Sequence, residues 1–286
     1  MLFLGDEHFF DANVNLLSSV LMPLRETEAI VIKSYDLAEA DRVVVFFTRS
    51  FGLVRGVAKG VKRPGSRFGS TLEPFSKIKL SFFQKEDREL VSIRDAELLN
   101  SRFEVASDPA RLAIFAYFGE LLTTFAAPHD ADEILFRMLD SCLSAGNDAD
   151  ELSALQLYFD VWMLRISGYL PDWRHCSLCR IKRTEMSGAT IITGFSLVCS
   201  KCKTLAGATL EKFGKAELEV FHNVEKLGPS EFVKISKGYI ETILKLRHLT
   251  SRLITITVGT PGVARESLDT YSSLKTKGLI KHKNAV

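Results

Sequence analysis

Apolar positions between residues 28 and 99 fall into short runs, EAIVIKSY, DRVVVFFTR, GLVRGVAKG, FSKIKLSFF and LVSIRDAELL, each rich in Val, Ile, Leu or Phe. Glycine, proline, aspartate or charged clusters separate them, as expected between strands. Five strands in so short a stretch predict a small β-barrel. From Asp108 the spacing changes. DPARLAIFAYFGELLTTFAA, DADEILFRMLDSCLSA and DADELSALQLYFDVWMLRISG carry apolar residues at helical intervals behind an acidic or Asp-Pro opening. Gly168 closes the third, and FGKAELEVFHNVEKLG and SKGYIETILKLRHLTSRLITI resume the helical pattern beyond a cysteine-rich segment. The expected fold is α+β and multidomain, with a barrel over residues 24–102, a helical domain over 103–256 and a cysteine module at 171–206. Residues 1–23 are read as a poorly ordered extension in which Met22, before Pro23, is an alternative start; residues 257–286 form a tail of unassigned role.

The 286 residues are 46% hydrophobic and 25% charged, enough for two compact domains. No apolar run reaches membrane-spanning length and the amino terminus lacks a basic secretory n-region, so a cytoplasmic protein without membrane contact is expected. Formal net charge is only +2, so affinity for a polyanion has to be sought in how the charge is distributed.

Four of the five cysteines form two C-x-x-C pairs, Cys176 with Cys179 and Cys199 with Cys202, separated by 19 residues. Each pair presents two thiolates on one side of a tight loop, and the strand-like spacer GATIITGFSLV lets the pairs converge on one tetrahedral ion. One structural zinc is the expected occupant, because four protein sulfurs leave no position for a catalytic water. Paired disulfides do not suit a reducing compartment, and a redox pair would want a βαβ context. His175 is read as a solvated neighbour and Cys142 as a buried small residue.

Between Arg49 and Lys85 the chain carries nine basic residues against one acid, Glu73, a local balance of +8. Its glycine-bearing loop KGVKRPGSRFG would let several cations and backbone amides follow a phosphate track. Phe51, Phe68 and Phe75 interleave with the charges as base-stacking residues would, whereas the bland reading buries Phe75, Phe82 and Phe83 in the barrel and leaves Phe68 open.

At Glu26 to Phe75 the sequence resembles the amino-terminal signature of the bacterial recombination mediator family RecO. The resemblance rests on the EADR turn at Glu39–Arg42, Thr48–Arg49, the G-x-x-x-G-x-A-K-G run at Gly52–Gly60, the basic loop Arg63–Gly69 and L-x-P-F at Leu72–Phe75. It continues into GYLPDWRHCSLC and spans roughly residues 25 to 255. It implies an OB-fold barrel, a helical domain with a zinc module, and a mediator that binds single- and double-stranded DNA and anneals complementary strands. Such a protein acts with RecR to load RecA onto DNA coated by single-stranded DNA-binding protein, and is nucleoid-associated. The DNA-contacting candidates are Arg42, Arg49, Arg55, Lys59, Lys62, Arg63, Arg67, Lys77 and Lys79, and the metal candidates Cys176, Cys179, Cys199 and Cys202. The acidic tail of the coating protein is expected on the helical domain, where Arg165, Lys245 and Arg247 accompany apolar helices. The carboxy-terminal ending does not match the family pattern.

Catalysis is not expected. Six scattered histidines form no motif, and no phosphate-binding P-loop, G-x-S-x-G elbow or H-E-x-x-H helix occurs. Asp130 with Asp132, and Asp148 with Asp150 and Glu151, sit where helix starts favour negative charge. Two other readings compete: a zinc-containing OB-fold RNA-binding protein of translation or ribosome assembly, and a docking scaffold in which the barrel is incidental.

Overall fold

The computed structural model describes residues 23–259 except 86, 87 and 147. The extension at 1–23 and the tail from 257 thus lie, apart from Pro23 and residues 257–259, outside the described residues. Five strands, β1 (Leu24–Asp36), β2 (Arg42–Thr48), β3 (Gly52–Ala58), β4 (Lys77–Phe83) and β5 (Leu90–Asn100), close a barrel in the order β1-β2-β3-β5-β4. Only β3 and β5 run parallel. β1 closes the barrel because it is long: Leu24–Ile30 pair with β4, and Ala29–Asp36 pair with β2. A bulge between Val31 and Lys33 reverses which side its residues face.

Inward positions follow the period of two. Ala29, Val31, Val44, Phe46, Val54, Ile78, Leu80, Phe82, Val91 and Ile93 fill the barrel, with Phe68 and Leu72 of the β3–β4 loop plugging it. Phe68 and Phe75 are buried, which removes both as stacking platforms; Phe51 packs edge-on against Phe82 at 5.6 Å.

The outward face of β1 and β2 is apolar too. Ile30, Ile32, Val45 and Phe47 belong to the core of the helical domain, built from α1 (Pro109–Phe125), α2 (Glu133–Leu143) and α3 (Ala149–Ile166). Phe47 meets Phe136 at 6.1 Å and Phe75 meets Phe115 at 5.5 Å. Approach is close. A Cβ on Gly119 would stand 2.8 Å from Ile32, and one on Gly52, whose φ is +58°, would stand 2.2 Å from the carbonyl oxygen of Asp130.

The three helices start at aspartates. Asp108 accepts from the amides of Ala110 and Arg111, Asp132 from Leu135 and Asp148 from Glu151. β6 (Ala189–Ile192), β7 (Leu197–Cys199) and β8 (Thr209–Phe213) form a small antiparallel sheet ordered β7-β6-β8. α4 (Lys215–Lys226), α5 (Pro229–Ser236) and α6 (Ile240–Val258) then pack back on α3. Pro229 at the start of α5 and the short β8 gave no periodic signal long enough to read from sequence.

Charged residues ring the apolar contact. Arg49 makes a two-pronged contact with Glu133 at 2.8 and 2.9 Å and reaches Glu28 at 3.0 Å. Lys77 bridges Asp140 at 3.0 Å and Glu28 at 3.1 Å. Arg102, nearly buried, donates to the carbonyl of Phe75 at 2.9 Å and to Asp140 at 2.7 Å. Arg49 and Lys77, both among the expected DNA contacts, face carboxylates across the domain contact, where Glu28, Glu133 and Asp140 accompany three cations. Burial pushes the Asp140 carboxyl up, but hydrogen bonds from Lys77 and Arg102 outweigh it and hold the group below its ordinary value.

Asp140→Ala strands the Arg102 guanidinium and is expected to lower stability by about 3 kcal/mol, read by denaturant unfolding. Because the folded Asp140 pKa is depressed, its contribution is present above the unfolded value near ~4 and is lost as pH falls through the lower folded value. The wild-type advantage over the variant should shrink below about pH 4; an advantage that grew on acidification would refute the assignment.

Candidate nucleic-acid interface and cysteine cluster

The barrel presents the long β3–β4 connection, residues 59–76, whose shape is set by successive turns and whose end, at Phe75, packs on α1. Backbone amides of Arg63, Ser66, Gly69 and Thr71 donate to the carbonyls of Gly60, Arg63, Ser66 and Phe68 at 2.9–3.2 Å. Buried Phe68 and Leu72 pin this chain of turns to the barrel end. Lys59, Lys62, Arg63 and Arg67 remain exposed along it. The Arg67 guanidinium lies over the Phe68 ring at 4.8 Å and donates through Nη2 to the Ile93 carbonyl at 3.3 Å, so the charged head group itself is held against the barrel end while the residue stays exposed.

The β1–β2 turn is joined to this loop. The Gly60 amide donates to Asp41 Oδ1 at 2.7 Å and the Lys62 amide to the Ala40 carbonyl at 3.1 Å. Asp36 receives Lys62 Nζ at 2.8 Å and Arg42 Nε at 3.2 Å. Lys62 foremost, then Arg42, lowers the Asp36 pKa. Arg42, Lys59, Lys62 and Arg63 are thereby brought to one edge of the barrel. Arg55 faces outward on β3 and pairs with exposed Glu89 at 2.9 Å. Lys79 stands elsewhere, on β4 against the first half of β1, 3.4 Å from Glu26. Exposed pairs such as these are worth little, so a phosphate can displace the carboxylate at small cost.

The cysteine module grows from Trp173, buried and donating to the Phe195 carbonyl at 2.6 Å. Arg183 braces the same backbone by donating to the Trp173 carbonyl at 3.1 Å and to Glu225 of α4 at 2.5 Å. Each cysteine pair sits in a tight turn: the Arg180 amide donates to the Cys176 carbonyl at 3.0 Å, and the Cys202 amide to the Cys199 carbonyl at 3.0 Å. The β6–β7 hairpin folds one turn onto the other, so that all four sulfurs lie within 4.8 Å of one another. Cys179 and Cys199 Sγ are 3.7 Å apart, matching the edge of about 3.8 Å for a tetrahedron with metal–sulfur bonds near ~2.3 Å and far beyond a disulfide.

Burial works against the Cys176 thiolate, but amides of Cys179, Cys199 and Leu178 outweigh it and lower the thiol to about 6. Hydrogen bonding to Cys179 and Cys199 raises Cys202 to about 12. His175 faces Asp172 at 3.1 Å, not the sulfurs. Cys142 lies buried in α2, where burial pushes its thiol up. Among the described residues these four cysteines are the one cluster able to hold a metal, and no helix is long and apolar enough to cross a membrane.

Sequence reasoning missed Asp36 and Asp41, which tie turn to loop, and Glu133 and Asp140, which claim Arg49 and Lys77. Only their distant partners reveal them.

Residues 22–102 match the family described as Recombination protein O N terminal, and residues 106–247 match Recombination protein O C terminal. A DNA repair protein RecO of Koribacter versatilis is 29% identical over 242 residues, covering 82% of this chain and 98% of the relative. That of Desulforamulus reducens is 31% identical over 251 residues, covering 82% and 94%. That of Geobacter metallireducens is 32% identical over 181 residues, covering 63% and 73%. Matched through its barrel and through its helices, the chain belongs to the RecO family.

Proposed function

We propose that the protein is a recombination mediator of DNA repair: it binds single- and double-stranded DNA along the β3–β4 loop, anneals complementary strands and, with RecR, helps load RecA onto coated DNA. One observation carries this reading. A loop with exposed Lys59, Lys62, Arg63 and Arg67 is tied to Arg42 through Asp36 and held to the barrel by Phe68, giving a prepositioned set of cations. Its role is binding and annealing rather than bond chemistry.

The family names of its relatives support DNA repair as the setting. For the acidic tail of the single-stranded DNA-binding protein, a groove of about 280 Å³ lined by Ile134, Arg137, Met138, Tyr158 and Trp162 supports docking on the helical domain, since it offers apolar walls and a cation. Lys245 and Arg247 are the weaker anchors: Lys245 pairs with Glu217 at 2.7 Å, and Arg247 donates to Gln156 and Ser153. Four convergent sulfurs support one structural zinc. Cys176, Cys179, Cys199 and Cys202 would hold it, and the ion would brace the two turns against the hairpin.

In an annealing assay on DNA coated with the cognate single-stranded DNA-binding protein, wild type is expected to accelerate duplex formation. Replacing Lys59, Lys62, Arg63 and Arg67 with alanine is expected to abolish that gain and flatten the salt dependence of binding, by about 0.7 in log–log slope for each phosphate left unneutralised. Unchanged affinity and slope would exclude the loop.

Metal analysis is expected to return about one zinc per chain. Cys176→Ser should lose it and melt at lower temperature, as should wild type after chelation. Purified protein that is metal-free yet equally stable would contradict the site.

A further inference from the structure

We propose that Tyr35 is a stacking site for an unpaired nucleobase, set into the cationic edge of the barrel; the inference rests on that edge being the DNA surface. With Phe68 and Phe75 buried and Phe51 and Phe83 half-buried, Tyr35 is the exposed aromatic side chain of the barrel among the described residues, at 46%. The bulge after Val31 puts it there. Strict alternation from inward-facing Val31 would send Lys33 and Tyr35 into the barrel, whereas the inserted residue pairs Lys33 with outward-facing Val45 and Tyr35 with Val43, which alternation between inward Val44 and Phe46 puts on the face of Val45.

Lys33 precedes it on the same face of β1, while Arg42 and Lys62 meet at Asp36, the next residue of the strand, whose side chain alternates to the other face at the barrel edge. Across β2, the outward row of β3 runs Arg55, Val57, with Val57 in register with Val43, and Lys59 follows the strand's end. Exposed Leu37 follows in a turn closed by its amide donating to the Asp41 carbonyl at 3.1 Å. An aromatic face on a fixed strand, with Lys33 on its own face and Arg42 and Lys62 at the neighbouring barrel edge able to take flanking phosphates, is the combination that single-stranded nucleic acid uses on OB-type barrels. In a duplex the bases are already stacked, so the ring should distinguish single strands from double.

The test compares wild type, Tyr35→Ala, Tyr35→Leu and Tyr35→Phe as full chains against labelled oligothymidylate and a duplex of the same length. Alanine and leucine are expected to weaken binding of the single strand about fivefold to a hundredfold, with duplex affinity and the salt slope unchanged, while phenylalanine retains wild-type affinity. Single-strand affinity unaltered by alanine and leucine would overturn the proposal. So would equal losses on both substrates, or a loss with phenylalanine, which would mark Tyr35 as structural or as a hydroxyl contact. Failure of the underlying reading looks different: wild type would then bind neither substrate, or would bind both undiminished after the loop lysines and arginines are neutralised.

Discussion

The outer wall of β1 and β2 carries Ile30, Ile32, Val45 and Phe47, and a barrel of this size cannot leave such a patch in water. Burying it against α1 and α2 fixes where everything else points. The approach is so close that Gly119 and Gly52 stand where side chains would collide, and the charged ring around Asp140 seals its rim. Breaking that ring leaves Arg102 buried without its carboxylate, so the ring serves to hold one docking geometry.

Docking divides the cations of the barrel into two populations. Arg49, Lys77 and Arg102 meet carboxylates in or beside the contact, and of these Arg102, 6% exposed, is committed most deeply. Arg42, Lys59, Lys62, Arg63 and Arg67 lie on the free edge, where the pairs that exist, such as Lys62 with Asp36, are exposed and easily exchanged for phosphate. A chain of net charge +2 thereby offers a concentrated positive edge.

Much of this was legible in the sequence, for physical reasons. Strands with period-two apolar patterns, helices opened by Asp108, Asp132 and Asp148, and paired cysteines all depend on near neighbours in the chain. What escaped depends on distant ones. The partners of Arg49 and Lys77 lie 84 and 63 residues away, so local charge could not separate a phosphate-facing cation from one committed to a carboxylate. Tyr35 escaped because a single bulge reverses the facing of β1, and Phe68 stayed open because a loop residue can plug a barrel as well as protrude from it.

Amide hydrogen exchange of the full chain, with and without single-stranded DNA, tests the central claim most directly. Protection is expected in residues 36–42 and 59–69, with little change at the domain contact around Asp140 or in the cysteine module. Protection confined to the helical domain, with the β1–β2 turn and β3–β4 loop exchanging as in the free protein, would contradict it.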